Sequence, residues 1–132
     1  MTTNRSSLAP AYITSVGAFL PGMAVDNERM EELLGVGAAG PSKYKDKVLA
    51  ANGIRNRHYA LAPDGTTTML NEELAARAIS RALDGRGLGP EAISMLAVGT
   101  TQPDVLVPGF ASMVHGRLGG GPMETLSAAG VC

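Results

Sequence analysis

The sequence is poor in aromatic residues and in cysteine. It contains no tryptophan, its aromatic content is 4%, and its single cysteine is Cys132. One cysteine excludes a disulfide within the chain, and so few aromatic rings argue against the stacking surfaces that bind single-stranded nucleic acid. Long apolar runs are also missing, because no stretch approaches the roughly 20 residues that span a bilayer.

An excess of one charge sign is absent as well. The 11 basic and 12 acidic side chains nearly cancel to a net charge of -1, and no basic residue is adjacent to another. This distribution predicts neither nucleic acid nor a membrane as a partner. The opening segment MTTNRSSLAP has no apolar core of the kind found in secretion signals, so together with the lone cysteine it predicts a cytoplasmic location.

The remaining composition is typical of a globular domain. The chain has 132 residues and a hydrophobic content of 45%, which is enough for one domain with a core of its own. No repeat, low-complexity tract or shift in composition divides residues 1–132. We therefore expect one structural unit.

Strand and helix signals alternate along the chain. Runs rich in β-branched or apolar residues predict three strands: AYITSVGAFLP, MLAVGTT and METLSAA. Recurrence of apolar residues at three and four predicts three helices: one in VDNERMEELLG, one over 68–83 and one opening at Pro108. GPEAIS predicts a turn or a short helical turn, and NGIRNRHYA is compatible with either a turn or a short strand.

The helix over 68–83 has the strongest signal. Glu73 and Arg77 can pair one turn apart, and Gly85 follows its end. The helix after Pro108 has an apolar face formed by Phe110, Met113, Val114 and Leu118. Because the predicted strands alternate with helices, each helix can cross over between neighbouring strands. This order predicts an α/β fold with a mostly parallel sheet and helices on both faces.

Three features are candidates for a site. GVGAAG, Gly35 to Gly40, matches a dinucleotide fingerprint in letters, but it follows a predicted helix and not a strand. His58 and His115 have no cysteine or carboxylate at ligand spacing, so we predict neither a metal site nor a cofactor. Cys132 follows a predicted strand end, where such sheets bind ligands, and the residues before it are small: Ser127, Ala128, Ala129 and Gly130.

Four segments together resemble a known family. ITSVGAFLPGMAVDN, GIRNRHYA, AVGTTQPDVLVPGFASMVHGRLG and LSAAGVC are similar, in order and spacing, to the N-terminal half of β-ketoacyl-acyl carrier protein synthase III, a condensing enzyme of the thiolase superfamily. The resemblance implies a thiolase-like fold in which Cys132 is the nucleophile at the start of a buried helix, whose dipole favours the thiolate. It implies acyl transfer to Cys132 and Claisen-type attack by a carbanion made from a second thioester.

The same resemblance implies partners. The family's catalytic His and Asn lie in its second half, so residues 1–132 correspond to the first half, and the remainder of the fold would come from another chain or from further sequence. The complete protein would be a homodimer. Thr101, Leu106 and Val107 fall where the family binds substrate, with Val107 at the position that reaches into the partner's acyl tunnel.

Two positions that differ from the family's best-known members bear on which molecule donates the acyl group. Lys47 and Ala51 stand where the best-known members have a Trp that stacks on the adenine of coenzyme A and an Arg that contacts its phosphates. We therefore expect the acyl thioester to be carried by acyl carrier protein in preference to coenzyme A.

Two alternative functions remain open: a non-condensing acyl transferase that uses the same acyl-cysteine, and a non-catalytic assembly subunit in which Cys132 is merely buried.

Overall fold

The structure is a computed structural model that describes residues 9–36 and 40–130. Its elements follow in this order: β1 (Val25–Asp26), α1 (Met30–Leu34), α2 (Lys45–Asn52), β2 (Asn56–Arg57), α3 (Asn71–Asp84), a single 3-10 turn (Pro90–Ala92), β3 (Met95–Gly99), α4 (Phe110–Leu118) and β4 (Glu124–Ala128). Among the described helices, none is long and apolar enough to cross a membrane.

The centre of the fold is a β3–α4–β4 unit. The two strands pair in parallel, with Met95 opposite Glu124 and Gly99 opposite Ala128. Parallel neighbours cannot be joined by a tight turn, and α4 forms the crossover and packs on both strands, while α3 packs on α4. The strands and the crossover predicted from MLAVGTT, Pro108 and METLSAA are confirmed.

The buried core lies between β3 and these two helices. Its buried members are Ala76, Leu96, Phe110, Ala111 and Val114, and Val114 has no exposed surface. Partly buried apolar residues surround them: Ala75, Ile79, Ile93, Val98, Leu118 and Met123. Met95 and Leu126 lie on the opposite face of the strand pair and are about half exposed, so in the described residues the helices cover one face of this pair.

Helix α3 matches its prediction closely. It spans Asn71–Asp84, Gly85 follows it, and Arg77 pairs with Glu73 at 2.8 Å. Its first turn also carries Glu72, which is 4% exposed and accepts a hydrogen bond from Arg117 of α4 at 3.2 Å. The second carboxylate oxygen of Glu72 is buried without a partner among the described residues.

A smaller antiparallel pair precedes this unit. β1 pairs with β2, with Val25 opposite Arg57, so the ambiguous segment NGIRNRHYA contains a short strand. The carboxylate of Asp26 accepts hydrogen bonds from the backbone N–H groups of Glu28 and Arg29, just before α1. Helix α1 then ends at Gly35, whose φ of 76° suits glycine, as predicted.

The strand predicted for AYITSVGAFLP is wrong. The segment is not a strand, because no described strand lies beside it to form a ladder. It lies against α3, where the Ser15 hydroxyl donates to the Ala82 carbonyl at 2.6 Å and the Arg81 guanidinium donates to the Ala18 carbonyl at 2.7 Å. Its β-branched and aromatic side chains are mostly exposed, Ile13 to 89%.

The sheet also differs from the expectation of one mostly parallel sheet. The described strands form two separate pairs, one antiparallel and one parallel. In addition, α2 forms within a region for which no helix was predicted. It has no buried residue, so it lacks the apolar face that a periodic pattern would reveal.

Candidate active site

The predicted nucleophile lies just beyond the described part of the chain. Cys132 and its neighbour Val131 lie outside the described residues, and Gly130 is the last that the structure describes. Strand β4 leads toward Cys132, and the small residues Ala128 and Ala129 are exposed.

The parallel register brings a loop to that strand end. Gly99 is opposite Ala128, and the N–H of Thr100 donates to the Ala128 carbonyl at 3.1 Å. Both strands consequently finish at the same edge, as expected for a parallel pair. The chain leaving β3 at Thr100 and Thr101 starts beside the backbone that leads to Cys132.

We call residues 100–109 the β3–α4 loop. An open cavity of about 480 Å³ is lined by Asn71 of α3 and by four residues of this loop: Thr100, Gln102, Pro103 and Asp104. The N–H of Asn71 donates to the Asp104 carboxylate at 2.8 Å, and the Asn71 side-chain amide donates to the Gln102 carbonyl at 3.0 Å. The loop is therefore fastened to the first residue of α3.

Apolar side chains further along the loop are exposed. Leu106 is 91% exposed and Val107 is 84% exposed, whereas Val105 is 44% exposed. Thr101 is exposed as well. The sequence-predicted substrate residues Thr101, Leu106 and Val107 thus lie on one loop that begins beside the path to Cys132, and they are accessible in the described chain.

The end of the loop is tied to β4. The Ser127 hydroxyl accepts a hydrogen bond from the N–H of Ala111 at 2.8 Å, in the first turn of α4. A side chain on Gly109 would bring its Cβ within 2.9 Å of that hydroxyl oxygen. Ser127 therefore caps α4 from the neighbouring strand, and a side chain at position 109 would crowd its hydroxyl.

These anchoring residues were missed from the sequence. Ser127 was identified only as a small residue, and Asp104 and Asn71 were not singled out. The hydrogen bonds join residues 33 positions apart for Asp104 and 16 positions apart for Ser127. No local capping pattern indicates them, because each cap comes from a different element.

The two histidines have structural partners. His58 Nδ1 lies 3.1 Å from the Pro21 carbonyl, and His115 Nε2 lies 3.2 Å from the Gly121 carbonyl. Within residues 9–36 and 40–130, no group of three or more His, Cys, Asp or Glu side chains could hold a metal ion. Of the glycine-rich motif, residues 37–39 lie outside the described residues; Gly35 follows α1, as predicted.

Lys47 and Ala51 lie on α2. They are one helical turn apart, which puts them on the same face, and both are exposed. Lys45, the first residue of the helix, instead pairs with Glu31 at 2.8 Å, and its side chain is about four-fifths buried. The helix therefore presents to solvent a lysine at the position of the family's Trp and an alanine at the position of its Arg.

Known proteins are similar to this chain in sequence and in fold. The chain is 35% identical over 109 residues to β-ketoacyl-[acyl-carrier-protein] synthase III of Cereibacter sphaeroides, covering 83% of this chain and 30% of that protein. It is 30% identical over 112 residues to β-ketoacyl-[acyl-carrier-protein] synthase III 1 of Lactiplantibacillus plantarum, covering 83% of this chain and 31% of that protein. No family model matches the chain.

A solved structure of a condensing enzyme is similar to this chain in fold and in sequence. AbyA1, a tetronic acid condensing enzyme, superposes with a TM-score of 0.72 at 34% identity, over 89% of this chain and 34% of that one. The chain thus spans about a third of the length of the relatives that it matches. Its described residues have part of the thiolase-type fold, and the chain is similar in sequence and fold to part of the β-ketoacyl synthase III-type condensing enzymes, as its motifs predict.

Proposed function

We propose that this protein takes part in acyl transfer and Claisen-type condensation between acyl thioesters, with Cys132 as the nucleophile. The observation that carries the proposal is the register of β3 and β4, which starts the β3–α4 loop beside the backbone leading to Cys132. Support also comes from relatives named β-ketoacyl synthase III and from the condensing enzyme AbyA1.

The proposed chemistry has two steps. The Cys132 thiolate attacks the carbonyl carbon of an acyl thioester, a new C–S bond forms, and the carrier leaves as a thiolate that takes up a proton. A carbanion, made when a malonyl thioester loses CO2, then attacks the acyl-cysteine carbonyl; the C–C bond forms and the Cys132 thiolate is released. Both steps develop negative charge on a carbonyl oxygen, which needs N–H donors around it.

We assign substrate contacts to the β3–α4 loop. Thr101 lies nearest the strand ends, and Leu106 and Val107 offer exposed apolar surface suited to an acyl chain. Val107 is smaller than the aromatic residue that the family often has at this position, so the site would accept a longer or branched acyl group. In the complete protein this surface would face the acyl tunnel of a second copy.

The active assembly requires more than this chain. Residues 1–132 would form the N-terminal half of a thiolase-like domain, with the other half and its catalytic His and Asn supplied by another chain or by further sequence. Exposed apolar residues support a covering partner: Tyr12, Ile13, Val16, Leu20 and Met23 are each at least 63% exposed. The complete protein would be a cytoplasmic homodimer, and light scattering that gives a monomer at micromolar concentration would contradict this.

The preferred donor would be acyl carrier protein. Stacking of an adenine on an aromatic ring is worth about 1 to 3 kcal/mol, and an arginine–phosphate contact about 1.5 to 3 kcal/mol. Lys47 and Ala51 cannot supply the stacking, although Lys47 can attract a phosphate as a point charge. Loading from acyl carrier protein should therefore be at least ten times as efficient as loading from coenzyme A; equal rates with one acyl group would contradict the donor assignment.

Thiol reactivity separates this proposal from a non-catalytic assembly subunit. A nucleophilic cysteine that forms the thiolate readily should alkylate quickly near neutral pH, and a buried structural cysteine should not. The rate of iodoacetamide labelling of Cys132 in the complete protein, compared with free cysteine at pH 7, measures this directly. Labelling slower than that of free cysteine would argue for the structural role.

A further inference from the structure

We propose that Asp104 and Ser127 are positioning residues that hold the apolar part of the β3–α4 loop, residues 105–108, in place for acyl-chain selection. The inference rests on the proposed acyl transfer to Cys132.

The first anchor joins the loop to α3. Helix α3 has Leu70 as its N-cap residue and makes no side-chain capping bond of its own. Asp104 fills that role from the loop, because its carboxylate accepts the Asn71 N–H at 2.8 Å. The Asn71 side-chain amide strengthens the contact by donating to the Gln102 carbonyl at 3.0 Å and lying 3.5 Å from the second Asp104 oxygen. A carboxylate at a helix N-terminus is favoured by the helix dipole.

The second anchor joins the end of the loop to β4. Helix α4 begins after Gly109 and likewise has no capping bond from its own N-cap residue. The Ser127 hydroxyl accepts the Ala111 N–H at 2.8 Å and lies against Gly109. Because Ser127 belongs to the strand that leads to Cys132, this anchor ties the loop to the same strand as the nucleophile.

Residues between the anchors have little else to hold them. Among the described hydrogen bonds, none involves a side chain or backbone group of residues 105–108, and Leu106 and Val107 are almost fully exposed. A segment that is largely exposed and makes no described hydrogen bond takes its position mainly from its two ends. Loosening either end should therefore change which acyl chains the segment accepts, while the core between α3, α4 and β3 stays intact.

Two amides report on the two anchors separately. Asp104→Ala should speed hydrogen exchange of the Asn71 amide about tenfold and leave the Ala111 amide unchanged, because one charge-assisted bond is lost. Ser127→Ala should do the reverse. Asp104→Asn keeps an acceptor oxygen and should restore part of the protection.

A matched control is available in another turn. Asp64 accepts hydrogen bonds from the N–H and hydroxyl of Thr66 in an exposed turn, so Asp64→Ala removes a similar carboxylate elsewhere. It should alter neither reporter amide. Unchanged exchange at Asn71 in Asp104→Ala and at Ala111 in Ser127→Ala would overturn the anchors, whatever the protein's activity.

Acyl selection is measured in the complete protein by loading of Cys132. With hexanoyl and dodecanoyl thioesters of acyl carrier protein, each anchor variant should change the ratio of the two kcat/KM values at least threefold relative to wild type, and Asp64→Ala should not. Faster amide exchange with an unchanged ratio would overturn the selection role. Failure of the wild-type protein to load either chain would overturn the proposed function and with it this role, while the exchange data still decide the anchors.

Discussion

Gly17, in the segment AYITSVGAFLP, lies close against the backbone of α3. A Cβ added at this position would overlap the Ala78 carbonyl oxygen and would lie 2.6 Å from the Ala82 backbone nitrogen. These are backbone atoms of a helix, so they cannot rotate away. Gly17→Ala must therefore either strain the contact or push the segment off α3.

The loss in the free energy of unfolding is set by whichever costs less, strain at the contact or detachment of the segment from α3. Overpacking of this kind typically costs about 1 to 3 kcal/mol. Detachment instead loses the bond from Ser15 to the Ala82 carbonyl and the bond from Arg81 to the Ala18 carbonyl, at about 0.5 to 1.5 kcal/mol for the neutral donor and about 1.5 kcal/mol for the charged one. We expect Gly17→Ala to lower the free energy of unfolding by about 1 to 3 kcal/mol.

Urea denaturation of the full chain tests this, and Gly116→Ala is the matched control. Gly116 lies inside α4, and a Cβ there would meet nothing within 4 Å. Alanine at that site should raise the free energy of unfolding by about 0.5 to 1 kcal/mol, because glycine weakens a helix interior. A Gly17→Ala chain as stable as wild type, or a Gly116→Ala chain that is destabilised, would refute the packing described for these glycines.

Two further predictions concern charged groups. Arg117→Ala leaves the buried Glu72 without its hydrogen-bond donor, so it should lower the free energy of unfolding by about 1 to 3 kcal/mol; adding Glu72→Gln should recover part of the loss, and no recovery would contradict the burial of a charged carboxylate. The hydroxyl and then the N–H of Thr66 lower the pKa of Asp64 from its ordinary 3.8. Its stabilising effect is therefore present above pH 3.8 and lost as the pH falls through the lower folded pKa, and an NMR titration with a midpoint at or above 3.8 would contradict this.

Periodic patterns predicted the helices and strands that pack against one another. In α3, Ala76 and Ile79 lie in or against the core with Val114 of α4, and spacing at three and four is the direct consequence of such packing. Strand β3 was evident as a short apolar run because Leu96 is buried. These elements owe their pattern to burial, which the sequence records.

Elements with few buried side chains have no comparable apolar pattern in the sequence. Helix α2 has no fully buried residue, and the segment predicted as the first strand has the composition of a strand but lies against α3 without a ladder partner among the described strands. The anchors of the β3–α4 loop were invisible for a different reason. Asp104 and Ser127 act on helices that are distant in sequence, and only the three-dimensional contacts reveal them.

The proposed reaction requires that Cys132 carry the acyl group. Intact-protein mass spectrometry of the complete protein, incubated with an acyl thioester of acyl carrier protein, measures it most directly. We expect wild type to gain the mass of one acyl group and Cys132→Ala to gain none, because a thiol is the only comparable nucleophile that the chain offers. An acyl adduct that persists in Cys132→Ala, or a wild-type protein that never acquires one, would contradict the account.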